Sequence, residues 1–245
     1  MYKLFLFCRS ALFWLFFLVS TIIFAPLAML TFPLSVLNRY RVIILWSRFN
    51  IWWLKVTCGV KFKVEGKENL PAGGMIFLAK HQSTWETMAF QQILPPHVWV
   101  LKRELFKIPF FGWGLKMLKP IAIDRSAGRR AVDQLVTQGI KKLETNWSVM
   151  IFPEGTRVKP GTNIRYKLGG SILASQAKFP VVPVAHNAGE FWPKHSFIKY
   201  PGTITVVIGK PIKAYGRKPE EINEETKNWI ETQMGQISDQ SRWGR

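Results

Sequence analysis

The sequence predicts an α/β fold: a mostly parallel sheet flanked by helices, preceded by an N-terminal membrane-embedded helical segment. Three observations carry this. Short, continuously apolar runs recur from residue 75 onward, as strands buried on both faces require. Longer stretches of mixed polarity, with room for a helix, separate several of them. Residues 10–37 carry no charge at all. A chain of 245 residues holds one unit of catalytic size and a smaller appendage, here a membrane-anchoring segment at 1–60 and a folded domain at 61–245.

The first segment has Lys3, Arg9, Arg39, Arg41, Arg48 and Lys55 but no acidic residue. Its uncharged run would span about 42 Å as one helix, against a hydrocarbon core of about 30 Å. Pro26 and Pro33 are expected to bend or end the helix before that length. A cleaved secretory signal is the rival reading, but the run is long for a signal core and lacks a small-x-small exit, which favours a retained anchor. The next apolar piece, "VIILWSRFNIWWLKVTCGV", puts Arg48 and Lys55 on one helical face. An interfacial or re-entrant helix would let both cations reach headgroups, with Trp46, Trp52 and Trp53 at the boundary. A core helix of the folded domain fits equally well.

Strands are expected at 75–79, 98–101, 121–123, 148–152, 181–185 and 203–209, and helices within 127–145 and 168–178. Pro183, inside the fifth run, suggests an edge strand or a bulge. After Pro219 comes a glutamate-rich start that suits the helix dipole, with a stripe of Ile222, Thr226, Trp229, Ile230, Gln233 and Ile237 that predicts a helix packed on the sheet.

Polar clusters sit at the carboxyl ends of three runs: "KHQSTWE" after "MIFLA", "KRELFKIPFFG" after "VWVL", and "PEGTR" after "SVMIF". Ligands of open α/β sheets bind at that edge, so the three should converge on one site. A neutral imidazole at His81 can take a proton from a hydroxyl, and a carboxylate that fixes its tautomer improves it as a base. Five positions apart on one helix, His81 and Glu86 would diverge by about 140°. They meet only if His81 lies in the loop and Glu86 in the first helical turn, with Ser83 or Thr84 as N-cap. On spacing alone, a helix cap with a dipole-serving Glu86 explains the pattern as well. In "FPEGTR", Gly155 permits close backbone approach and Arg157 offers a fork for phosphate, though a turn closed by a Glu–Arg pair is the plainer alternative. Lys102 and Arg103 can add positive charge, and His186 is expected to be a satisfied loop histidine.

The formal net charge of +19 asks for an anionic partner, and eleven Trp residues favour a membrane interface. Cys8 and Cys58 suggest neither a disulfide framework nor a zinc site. There is no G-x-S-x-G, G-x-x-x-x-G-K-[ST], G-x-G-x-x-G or H-E-x-x-H, so serine-hydrolase, nucleotide-fold and zincin chemistry lack support.

Taken together, these blocks resemble the glycerolipid acyltransferase superfamily, in particular its 1-acyl-sn-glycerol-3-phosphate acyltransferase branch. "HQSTWE" is similar to H-x-x-x-x-D with Glu86 in place of Asp, a change that resembles the lipid A acyltransferases. "KRELFKIPFFG" matches K-x-E-L-x-x-x-P-x-x-G, "FPEGTR" matches letter for letter, and "VPVAHNAG" matches V-P-V-x-x-x-x-G. Lys80 stands where Asn is common. The resemblance implies an acyltransferase catalytic domain over 61–245, moving an acyl chain from acyl-carrier protein or CoA thioester to the sn-2 hydroxyl of lysophosphatidate. It implies His81 as base and Glu86 as its orienting acid, with no covalent acyl-enzyme, metal or cofactor. Lys102, Arg103 and Arg157 would grip the phosphate, while Glu154, Gly155 and Thr156 shape the glycerol end of the acceptor site. It also implies a bacterial inner membrane, with the catalytic domain facing the cytoplasm, an anionic bilayer as partner, and no nucleic acid. A sibling enzyme acting on lyso-ornithine lipid or glycerol-3-phosphate, or a non-catalytic basic membrane protein, remains as alternative.

Overall fold

A computed structural model describes residues 1–124 and 127–243 of the chain. Residues 125, 126, 244 and 245 of the expected 61–245 domain lie outside the described residues. In chain order the elements are α1 (Tyr2–Leu30), α2 (Val36–Cys58), β1 (Val60–Glu65), β2 (Ile76–Ala79), α3 (Trp85–Ile93), β3 (His97–Lys102), α4 (Phe111–Met117), β4 (Ile121–Ile123), α5 (Arg129–Glu144), β5 (Ser148–Ile151), α6 (Gly169–Ala177), β6 (Val181–His186), β7 (Gly202–Ile208) and α7 (Pro219–Ile237).

The sheet runs β1-β7-β6-β2-β5-β3-β4. Strands β6, β2, β5, β3 and β4 are mutually parallel, and β7 turns the direction by pairing antiparallel with β6 and parallel with β1. Alternation within the strands sorts the core into two layers. Met75, Phe77 and Ala79 face α2 and α3, while Ile76 and Leu78 face α5 and α6. Both faces are covered, which is why the strands are apolar throughout.

All six expected strands form. The seventh, β1, escapes a search for apolar runs because "VKFKVE" alternates buried and exposed positions, as an edge strand with one wet face does. Pro183 lies on an interior strand, not an edge. Its carbonyl accepts from Gly209 N–H on the β7 side, between the β7 ladder and the Val181–Ile212 bridge, so its missing N–H falls where the antiparallel partner is interrupted. On α7 the buried stripe is Ile222, Thr226, Ile230 and Met234; Met234 continues it in place of the expected Gln233.

Helix α1 runs 29 residues, continuing through Pro26 and ending at Leu30 before Pro33, so the uncharged run 10–37 does not form one unbroken helix, as expected. It is long and apolar enough to cross a membrane. A short turn returns the chain into α2, and contacts such as Ser20–Asn50 and Phe16–Trp53 make the pair an antiparallel hairpin. The expectation that α2 is either interfacial or a core helix resolves into two faces. Ser47, Asn50, Ile51 and Leu54 are buried, and Ser47 donates to the Met88 carbonyl on α3. Arg41, Arg48, Phe49, Trp52 and Lys55 are exposed.

The hairpin lies along the α/β domain. Near its start, Ser10 Oγ accepts from Lys199 N–H at 2.9 Å and the Trp14 indole donates to the Phe197 carbonyl at 3.1 Å. The Lys199 ammonium sits 3.8 Å from the Trp14 ring centroid and 4.7 Å from that of Trp192, a cation–π clasp. Near the other end, Ala28 packs against Leu118 beyond α4.

Candidate active site

Strand β2 ends at Ala79, and Lys80, His81 and Gln82 follow in a loop that leads into α3. The carboxyl ends of β2, β5 and β3 are neighbours in the sheet, so the three polar clusters lie side by side as expected. Ser83 Oγ accepts from Trp85 N–H and donates to the Trp192 carbonyl, fixing the entry to the helix. Thr84 occupies the N-cap position but makes no cap bond; its hydroxyl accepts from Arg157 Nη1 at 2.7 Å.

With His81 in the loop and Glu86 in the first turn, the two side chains meet. His81 Nδ1 lies 2.8 Å from Glu86 Oε1, and the same oxygen accepts the N–H groups of Gln82 at 2.9 Å and Ser83 at 2.8 Å. Burial alone would push the Glu86 carboxyl up. The imidazoles of His186 and His81 and the Ser83 N–H outweigh that and hold it below the usual range. An ionised carboxylate only accepts, so Nδ1 carries the proton and Nε2 is the basic nitrogen. The imidazole stacks on Phe152, ring centroids 3.8 Å apart and 8° from parallel, which fixes its plane.

His81, Lys102, Gly155, Thr156 and Arg157 all line one cavity of about 350 Å³. Its apolar wall crosses from the domain to the α1–α2 hairpin, with Phe24, Ala25 and Ala28 of α1 and Gly114 and Leu115 of α4. A basic imidazole nitrogen and two cations on the lining of a largely apolar cleft suit a molecule with an anionic head and a hydrocarbon tail. Gly155 adopts φ +70°, a backbone conformation that favours glycine, and the atom a Cβ there would meet first is the movable end of the Lys167 side chain.

Two expected site residues lie elsewhere. Arg103 opens the turn after β3, where the backbone leaves the strand and carries its side chain away from that of Lys102. It is solvent-exposed, pairs with Asp124 at 2.8 Å and does not line the cavity. Glu154 is buried and does not line the cavity; it accepts from His81 N–H at 2.7 Å and pairs with Lys80 at 2.9 Å. His186 closes β6 instead of lying in a loop. It is satisfied by the Lys80 carbonyl and Ala188 N–H, and burial lowers its pKa. The sequence reading missed Glu231 and Tyr166, which complete the surroundings of Lys80. The available signal was Lys80 itself, because a cation directly after a buried strand must find a carboxylate. Among the described residues no three His, Cys, Asp or Glu side chains gather as a metal ligand set.

Residues 61–187, which include every sequence-predicted site residue, match the family model described as Acyltransferase. The chain belongs to the acyltransferase family. It is 44% identical over 235 residues to a 1-acyl-sn-glycerol-3-phosphate acyltransferase of Pseudomonas aeruginosa, covering 94% of this chain and 91% of that one. It is 33% identical over 177 residues to the 1-acyl-sn-glycerol-3-phosphate acyltransferase of Saccharomyces cerevisiae, covering 70% of this chain and 58% of the yeast protein. The crystal structure of a 1-acyl-sn-glycerophosphate acyltransferase, PlsC, from Thermotoga maritima shares the fold over 100% of both chains, with a TM-score of 0.81 at 22% identity. In this acyltransferase the matched segment begins just after α2, and the hairpin precedes it.

Proposed function

We propose that this acyltransferase moves a fatty acyl chain from a thioester, acyl-ACP or acyl-CoA, to the sn-2 hydroxyl of lysophosphatidate, giving phosphatidate. The observation that carries the reading is the Glu86-held imidazole of His81 opening into the same cavity as Lys102 and Arg157. Lys102 and Arg157 grip the acceptor phosphate and Thr156 lies beside it, while a fatty chain lies along the apolar wall toward α1. His81 Nε2 removes the hydroxyl proton, and the alkoxide oxygen attacks the thioester carbonyl. Collapse of the tetrahedral intermediate breaks the C–S bond, and the leaving thiolate takes the proton back from the imidazolium. Glu86 stabilises the imidazolium while it exists. Names of relatives at 44% and 33% identity support this acceptor.

The apolar exposed side of the hairpin enters lipid on the cytoplasmic side of a bacterial inner membrane, and Arg41, Arg48 and Lys55 meet anionic headgroups. Because α1 is tied to the domain near both ends, the hairpin beds the domain against one face of the bilayer.

Purified protein in lipid, given each donor in turn with lysophosphatidate, lyso-ornithine lipid and glycerol-3-phosphate, tests the reading by mass spectrometry of the products. Phosphatidate is expected as the main product, and His81→Ala is expected to abolish it while membrane association persists. Full activity of His81→Ala, or product only from another acceptor, overturns it.

A further inference from the structure

Outside the cavity lining, four polar side chains from distant parts of the chain meet behind the catalytic loop. Lys80, only 2% exposed, places Nζ 2.9 Å from Glu154 Oε1 and 2.8 Å from Glu231 Oε1 on α7. The Tyr166 hydroxyl donates to the same Glu231 oxygen at 2.9 Å. The second Glu154 oxygen accepts His81 N–H at 2.7 Å, and Val158 N–H donates to the His81 carbonyl at 2.7 Å. The main chain on both sides of the imidazole is thus hooked to the loop after β5, in part through a carboxylate faced by a buried cation. Removing one partner of such a buried pair leaves the other charge uncompensated, and a carboxylate in that position takes up a proton.

We propose that Lys80 is a positioning residue for acyl transfer: its ammonium, shared with Glu231, favours the ionised form of Glu154, the form that holds the His81 main chain in register with Glu86. The inference rests on His81 being the base. Neither Lys80 nor Glu231 touches the cavity, so the effect reaches the reaction only through Glu154 and His81.

The electrostatics give the idea a sign. Burial raises the Glu154 carboxyl to about 7, with Lys80 pulling it down and Glu231 pushing it up. The titratable groups around it are Lys80 after β2, Glu231 on α7, Tyr166 in the loop before α6, and the His81–Glu86 pair; Lys167 lies over the adjacent Gly155. Removing the cation raises the pH at which Glu154 protonates, and neutralising Glu231 lowers it.

The test is kcat against pH for thioester release, using the acceptor that the wild-type protein turns over. Lys80→Met is expected to lower kcat about 10–100-fold at neutral pH, to leave the acceptor KM within about twofold, and to move the acid limb up by about one pH unit. Lys80→Arg is expected to restore most of the rate. Glu231→Gln keeps an oxygen for Lys80 and Tyr166 and should move the acid limb down. In a Glu154→Gln background the Lys80→Met shift should vanish, whereas a direct field effect on His81 would survive. Acid limbs that do not move, that move in the same direction, or that move equally without Glu154 overturn the proposal. If Lys80→Met fails to fold, Glu231→Gln alone decides by the same limb. Unmoved limbs beside an inactive His81→Ala reject only the positioning role, whereas an active His81→Ala rejects the base itself and this inference with it.

Discussion

Oε1 of Glu86 accepts from His81 Nδ1 at 2.8 Å while taking two main-chain N–H groups of the loop between them. The acid therefore shapes the loop and steers the ring with one atom. Extra reach suits this geometry: Glu86 sits in the first turn of α3 and returns to residue 81 across the helix start.

Glu86→Gln tests the charge apart from the shape. The amide oxygen can still accept the Gln82 and Ser83 N–H groups but cannot stabilise the imidazolium. A fall in kcat of about 100-fold or more is expected, within the usual range for disabled base catalysis. Glu86→Asp keeps the charge and is expected to lose less than about 10-fold. Steady-state thioester release measures both, and equal rates for all three forms would reduce Glu86 to a helix cap.

Arg157 and Arg103 should part company. Arg157 lines the cavity with Thr84 bonded to its fork, and Arg157→Ala is expected to raise the lysophosphatidate KM about 10–100-fold, the worth of a charge-assisted hydrogen bond. Arg103→Ala is expected to change it less than about twofold, since exposed pairs such as Arg103–Asp124 are worth little. Initial rates over an acceptor series give both constants.

If the fatty chain lies along the wall between α1 and α4, as proposed, that wall sets how much chain fits. A Cβ on Gly114 would meet Ala28 at an ordinary 3.9 Å, so Gly114→Ala is tolerated, while Gly114→Leu must extend into the cleft. Each methylene excluded costs about 0.8 kcal/mol, roughly fourfold in kcat/KM, so the leucine variant is expected to favour shorter chains. A donor series of increasing length reads the change.

His97 should make the protein acid-labile. It is buried at the start of β3, its Nδ1 bonded to the Pro95 carbonyl, and burial pushes its pKa down to about 4. Between 6.5 and about 4 the unfolded chain binds the proton that the folded one refuses, so the stability present above 6.5 is lost as pH falls, about 3 kcal/mol when complete. Glu154, raised to about 7, works in the opposite sense, with stability falling as pH rises toward 7. His97→Asn keeps a donor for Pro95 without the titration. Thermal melts across that window should slope less for the variant than for wild type, and parallel slopes would refute the role.

Most of the fold is written in local patterns. The runs at 76–79, 98–101 and 148–151 are buried on both faces and need no partner to be recognised, and the His81–Glu86 contact follows from a loop-to-helix boundary five residues long. Strand β1 is harder because lysines on its wet face dilute the apolar signal. Arg103 misleads for a related reason: adjacency to Lys102 suggests a common target, but the backbone turns between them. The partners of Lys80 are the least legible, since Glu154, Tyr166 and Glu231 come from three later segments that only the folded chain assembles.

Lys80 and Glu231 lie 151 residues apart in the chain. Contacts of that span form late in folding, whereas a helical hairpin forms from neighbours and can enter lipid first. On the proposed reading that order separates arrival from ignition: a half-made polypeptide is seated at the membrane before residue 81 is braced. A chain stopped ahead of α7 is expected to reach lipid and leave the thioester intact.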